Sequence, residues 1–262
     1  MPDDPSASLI LVSTVGRVTT LSLDRPAKRN ALSVELLGQL VAALAAAEQD
    51  KTQRVLILRG EGPAFCAGLD LAEAASPDRA HRSAELIARA LQALSTTRLV
   101  TIAAVHGAAI AGGAGLMTAC DFAVAAHGTQ IGYPETRRGL VAGLVMTFLR
   151  RQLRERDARE LLLTGELIDA SRSLAIGLVN RVVPASELMP EALRYADAVL
   201  RGGPEAVANT KRLLAELWPR PVQADLDCAL AFHLEARKSP EAAEGIAAFH
   251  EKRPPNWAPR LS

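Results

Sequence analysis

Residues 103–126 read AAVHGAAIAGGAGLMTACDFAVAA, and this stretch decides the fold. A strand-like run, Val100 to Val105, meets a cluster of glycines at positions 107, 112, 113 and 115. An apolar helix follows over about Gly112 to Ala119, then Cys120 and a second short strand from Asp121 to Ala125. From Leu99 to Cys120 no residue is charged at neutral pH, and His106 and Cys120 are the ionisable groups. A run of that length is long enough to cross a bilayer. Four glycines and a histidine interrupt it, no comparable run occurs elsewhere, and the mean hydropathy is only +0.11. A buried strand followed by a buried helix explains it better. Glycines before a helix serve tight packing or a turn. They also let a ligand approach bare backbone N–H groups at the positive end of the helix dipole. A second loop upstream, Gly62-Pro63-Ala64-Phe65-Cys66-Ala67-Gly68-Leu69-Asp70, offers a further N–H. Two such donors aimed at one oxygen make an oxyanion hole.

Strands and helices alternate outward from this stretch. Ser8 to Val12 and Val18 to Leu23 read as a hairpin around Val15-Gly16-Arg17. A basic loop holds Arg25, Lys28 and Arg29, and Ser33 is a good N-cap for a helix to about Asp50. Arg54 to Arg59 is a short buried strand. Asp78 to about Ser95 is helical, with Leu86, Ile87, Ala90, Leu91 and Leu94 on one face. Such alternation predicts a largely parallel sheet with crossover helices. Beyond Tyr133 helices dominate, over about 144–152, 155–163, 187–201, 204–217, 222–237 and 240–249, interrupted by a strand from Leu178 to Val183. A boundary near Pro184 divides an α/β core, residues 1–184, from a helical unit, residues 185–262, that docks on the core or on another subunit.

Composition narrows the function. The 262 residues suit one large domain with a helical appendage, and an apolar content of 49% with only 3% aromatics requires an aliphatic core. A net charge of +1 gives no case for nucleic acid or an anionic membrane. Three scattered cysteines, Cys66, Cys120 and Cys228, argue for reduced thiols in a cytoplasmic protein. The polar start shows no secretory signal. No metal motif, P-loop, dinucleotide fingerprint or G-x-S-x-G elbow occurs.

Six segments in order resemble the crotonase, or enoyl-CoA hydratase/isomerase, superfamily. They are LDRPAKRNALS (23–33), GPAFCAGLDL (62–71), AVHGAAIAGGAGLMTACDFAVA (104–125), YPETRRGLVAG (133–143), LLLTGELIDASRSLAIGLVNRVV (161–183) and AFHEKR (248–253). The resemblance implies an α/β fold, a spiral of ββα turns with a helical C-terminal unit, assembled as a homotrimer or dimer of trimers. It implies an acyl-CoA substrate, with coenzyme A part of that substrate and no separate cofactor or metal. The oxyanion donors fall on the N–H groups of Leu69 and Gly112. Ala67 falls where the loop touches the CoA adenine, and Arg25, Lys28 and Arg29 where the family meets the CoA phosphates. Gly113 and Gly115 continue the substrate-facing stretch. Phe249 and Lys252 match residues that help cover the CoA nucleotide. Glu135 matches the glutamate that exchanges a proton with the substrate α-carbon.

The chain departs from the family at one telling place. The best-known hydratases carry a second glutamate three positions beyond the oxyanion glycine, and Gly115 stands there. The loop also opens on Ala111 where a glycine is usual. Other polar groups are candidates to replace the missing acid: His81 and Glu85 on the helix after the first loop, then Glu73 and Tyr133. Each also reads as an ordinary structural residue. His106 reads as a buried, hydrogen-bonded histidine, Asp70 as a loop brace, Asp121 as a strand-end anchor, Cys66 and Cys120 as small apolar fillers. The charge run from Arg150 to Arg159 reads as a solvated helix face.

The GG-x-x-GL form of the second loop with a retained PE glutamate most resembles hydratases of branched unsaturated acyl-CoAs. Hydration of a 2-enoyl-CoA is therefore the expected activity, with Glu135 as acid/base. A single glutamate on chemical grounds also suits a Δ3,Δ2-enoyl-CoA isomerase or an acyl-CoA decarboxylase. An acyl-CoA-binding protein without chemistry is the non-enzymatic alternative.

Overall fold

A computed structural model describes residues 8–70, 72–73, 77–217 and 222–256. The chain opens with an antiparallel hairpin, β1 (Ile10–Val15) and β2 (Val18–Leu23), turned at Gly16 with φ +58°. Helix α1 (Val34–Gln49) starts where the Ser33 hydroxyl accepts the Leu36 N–H at 3.2 Å, and buries Leu36, Leu37, Leu40 and Leu44. Strand β3 (Val55–Gly60) precedes the first glycine loop, and α2 (Pro77–Thr96) follows it. Leu86, Ile87, Ala90, Leu91 and Leu94 form the buried stripe that the spacing predicts. Strand β4 (Val100–Val105) leads through β5 (Ala108–Ile110) into α3 (Gly112–Ala119), every residue of which is buried. After β6 (Phe122–Ala126) and β7 (Gln130–Gly132), a 3-10 turn spans Pro134–Arg138. Next come α4 (Gly143–Gln152), α5 (Glu155–Thr164), β8 (Leu167–Asp169), α6 (Ala170–Ala175) and β9 (Arg181–Val183). The chain closes with α7 (Leu188–Leu200), α8 (Pro204–Glu216), α9 (Val222–Arg237) and α10 (Pro240–His250).

The main sheet runs β1-β2-β3-β4-β6-β9, parallel throughout except for the opening hairpin. Its central strands are covered on both faces, as their unbroken apolar sequence requires. Leu56 and Leu58 of β3 face the core shared with α1, α2 and α3, while Val55 and Ile57 face Leu188, Ala192 and Ala196 of α7. Asp121 anchors a strand end as expected: its Oδ2 accepts the N–H and hydroxyl of Thr101 and meets Lys211 of α8 at 2.7 Å.

The sequence reading does not contain the second sheet, β5-β7-β8, whose three strands have three residues each. Three residues are too few to display a period of two. The strand expected over Leu178 to Val183 is shortened to Arg181–Val183, because Leu178 and Val179 close the turn after α6 by bonding to the Ser173 carbonyl. Among the described residues no helix is long and apolar enough to cross a membrane.

Candidate active site

The two glycine loops are tied to each other by backbone. Phe65 N–H donates to His106 O (2.8 Å), Cys66 N–H to Ala108 O (3.0 Å) and Ile110 N–H to Cys66 O (3.0 Å). On the other side, Leu32 N–H donates to Gly68 O and Asp70 N–H to Leu32 O, a parallel bridge centred on Leu69. That pairing uses the groups flanking Leu69 and turns the Leu69 N–H away from the bridge. Gly112 is the first residue of α3, so its N–H has no intrahelical acceptor. Among the described residues neither amide has a hydrogen-bond acceptor. They are neighbours, since a Cβ on Gly112 would lie 3.8 Å from Leu69 Cγ. Both residues line one cavity of about 700 Å³.

Two positions hold this geometry at a cost or by exclusion. Gly113 has no room for a side chain: a Cβ there would sit 2.5 Å from Cys66 O. Ala111 adopts φ 51°, ψ −118°, a region that suits glycine alone, and its N–H is held by Gly132 O at 2.8 Å. Such strain costs about 1–3 kcal/mol. Ala111→Gly is expected to raise stability by about 1 kcal/mol in urea unfolding, after allowing for the greater freedom of glycine in the unfolded chain. A loss of stability would show that Ala111 is not strained.

Glu135 follows Pro134 in the 3-10 turn, which Gly139 ends in a left-handed conformation with its N–H on the Glu135 and Thr136 carbonyls. The side chain is 8% exposed, lines the same cavity, and its Oε2 is buried without a hydrogen-bond partner. Burial pushes its pKa up to about 7, against the opposing pull of its own backbone amide and of the Arg138 guanidinium. A carboxylate poised near neutrality is suited to both taking and returning a proton.

The structure gathers Glu135, Leu69, Gly112, Ala67, Lys28, Arg29 and Phe249 on this cavity. Lys28 and Arg29 are exposed, and neither pairs with a carboxylate among the described residues. Arg25, Gly113, Gly115 and Lys252 lie off the lining. Arg25 is buried and bound to Asp70 at 2.7 Å, so this basic residue braces the first loop, and Asp70 is the brace that the sequence suggests. Gly115 packs against α4: a Cβ there would come within 2.3 Å of Val145 Cγ1 and 3.5 Å of Leu91 Cδ2. Val145, which lines the cavity, therefore occupies the space beside the position where the family places its second acid.

The candidate replacements for that acid are elsewhere. His81 and Glu85 pair with each other at 3.3 Å on the outer face of α2. Glu73 accepts the Val34 N–H and pairs with Arg79. Tyr133 is wholly buried and off the lining. His106 is half-buried rather than buried, with Nε2 at 2.8 Å from Gly62 O. Burial drives the thiols of Cys66 and Cys120 up to about 12, as befits inert fillers. The charge run pairs mainly with its own helix neighbours, Arg154 with Asp157 and Arg159 with Glu155; Arg151 differs in reaching a buried Asp225 on α9. Trp257, which the sequence puts with Phe249 near the end of the helical unit, lies outside the described residues.

Sequence reasoning missed several basic residues on the cavity, among them Arg138, His233 and Arg237. The available signal was His233 and Arg237 four residues apart, one turn of a single helix.

Known proteins place this chain in a family. The family described as Enoyl-CoA hydratase/isomerase matches residues 14–260. Enoyl-CoA hydratase EchA19 of Mycobacterium tuberculosis is 35% identical over 95% of this chain and 96% of its own length. A crystal structure of an enoyl-CoA hydratase from Mycobacterium avium superposes with a TM-score of 0.84 at 34% identity, covering 96% of this chain and 100% of that one. An enoyl-CoA hydratase/isomerase from Pseudoalteromonas atlantica gives 0.86 at 32%, covering 96% and 100%. With paired free amides, a buried glutamate and a match along nearly its whole length, the chain belongs to the enoyl-CoA hydratase/isomerase family, with the crotonase fold, and is an enzyme of that family.

Proposed function

We propose that the protein adds water across the 2,3 double bond of a 2-enoyl-CoA thioester, with Glu135 as its one acid/base. The observation that carries this reading is a buried, unpartnered carboxylate sharing a cavity with two amides that have no acceptor. The thioester oxygen lies between the Leu69 and Gly112 N–H groups. Negative charge grows there as the enolate forms, and donors already oriented in a water-poor site stabilise it; one such donor is worth about 10²–10³ in rate. Ionised Glu135 takes a proton from water as its oxygen bonds to C3. It then returns that proton to C2 as the enolate collapses. Lys28 and Arg29 at the exposed mouth receive the CoA phosphates, Ala67 the adenine, and Phe249 covers the nucleotide. The names of the relatives favour hydration. Exposed Leu213 and Leu214 on α8 and Phe232 on α9 support burial between copies, as a trimer or dimer of trimers.

One observation favours a second reading. Val145 stands where a group to hold water would be needed, and a lone carboxylate suffices to move a proton from C2 to C4. On that reading the enzyme interconverts 3-enoyl- and 2-enoyl-CoA. Assays with a 2-enoyl-CoA and a 3-enoyl-CoA of equal chain length separate the two. Hydration at least tenfold faster than isomerisation is expected. The reverse order makes the enzyme an isomerase, and binding without either turnover overturns both readings.

A further inference from the structure

Burial of an unpaired cation is costly, and proteins ordinarily supply a counter-charge. Two arginines with little exposed side chain obey this: Arg25 pairs with Asp70 and Arg151 with Asp225. Arg237 does not. It ends α9, lines the cavity, and pairs with no carboxylate among the described residues. Its Nε–H donates to His233 Nε2 at 3.1 Å, one turn back. His233, 6% exposed, places its Nδ1 at 3.2 Å from Val141 O, so the tautomer with the proton on Nδ1 satisfies both contacts. Burial, with the neighbouring guanidinium, pushes this imidazole down to about 4, so it is neutral at working pH. His233 thus holds one edge of the guanidinium. The two terminal nitrogens make no hydrogen bond among the described residues.

Arg138 adds a second cation on the lining. Its Nε is buried without a partner, and its guanidinium lies 4.9 Å from the centre of the Phe249 ring. The other charged groups on the inner lining are already matched: Asp70 by Arg25, Arg137 by Glu166, Arg253 by Glu244. Glu135 acts on Arg138 through its charge, and no carboxylate does the same for Arg237 among the described residues. The C-terminal dipole of α9 favours a cation in its last turn, but exposed Lys238 meets that need from solvent. The dipole does not explain why Arg237 faces the cavity.

We infer that Arg237, held by His233, is a specificity-determining anion site for acyl chains that carry a second carboxylate. A planar fork with both terminal nitrogens unoccupied matches a carboxylate bidentately. This inference rests on the acyl-CoA reading given above. A phosphate of CoA itself is the other anion the fork would accept, and exposed Lys28 and Arg29 already suit that role.

The test compares 2-pentenoyl-CoA with glutaconyl-CoA as substrates, and pentanoyl-CoA with glutaryl-CoA as ligands. The wild-type protein is expected to favour the dicarboxylic member of each pair. Arg237→Leu should lower that preference by about 10- to 100-fold, the range of a charge-assisted hydrogen bond. Arg237→Lys, which keeps the charge and loses the fork, should retain part of it. A wild-type preference for the uncharged chain overturns the inference, as does an equal loss for both members of a pair. If free CoA weakens as much as glutaryl-CoA does, the fork reads phosphate and the inference is again overturned. The ligand pair reports without turnover, so failure of the proposed reaction leaves this test intact.

Discussion

Glu135→Gln is expected to lower turnover by about 10³ or more while making the folded protein more stable at alkaline pH. The first effect follows from removing the group proposed to move the proton, a role worth about 10²–10⁴. The second follows from linkage. The folded-state pKa is raised from 4.5 to about 7, so between these values the folded protein holds more protons than the unfolded chain. Stability attributable to this residue falls as pH rises through that window, and the full penalty is present above pH 7. The gap corresponds to about 3 kcal/mol as an upper value. Glutamine carries no charge, so the variant escapes the penalty at pH 8 and gains nothing at pH 4. Its amide hydrogens lack an obvious acceptor beside Arg138, which offsets part of the gain. Calorimetry at pH 5 and pH 8 reads the effect as a Tm advantage that grows with pH. An advantage independent of pH would mean that the carboxylate is not desolvated, and retained solvent deuterium exchange at the α-carbon would assign the chemistry to another residue.

Restoring the family's second acid by Gly115→Glu should damage this protein. The new Cβ alone would lie 2.3 Å from Val145 Cγ1 and 3.1 Å from Val145 Cβ. Overpacking of this kind costs about 1–3 kcal/mol or more, and burying an unpaired carboxylate adds to it. A loss of at least about 3 kcal/mol is expected, with reduced turnover. Pairing it with Val145→Ala removes the offending methyls. The double variant should recover stability and hydrate crotonyl-CoA about 10² faster than the single one. A single variant as stable and active as wild type would show that α3 and α4 are not packed as described.

Much of this architecture was legible because local signals and burial agree. Ser33 caps α1, the stripe on α2 faces the core, and the run from Val100 to Val105 is a strand over those same residues. The glycine loops and Glu135 were legible through their family pattern. What escaped depends on contacts distant in sequence. Gly115 showed that an acid was missing, but not that Val145, on the next helix, fills the space. Arg237 and His233 sit on α9, whose apolar residues are spread around it, so no single face announced itself. The strands of the second sheet form only because β5 is fastened to Cys66 on one side and to β7 on the other.

The proposed oxyanion donors are main-chain atoms, and their spacing is set by backbone pairing between the two loops. The genetic code has almost no vocabulary for deleting them: any codon at 69 or 112 other than one for proline still encodes an N–H. Selection on this part of the site therefore acts through the residues that fix loop shape. Gly68, at φ +92°, and Gly107, where a Cβ would meet Pro63 O at 2.0 Å, are the positions where a side chain would distort that shape, whereas the proposed donor amides survive a change of the side chain that carries them.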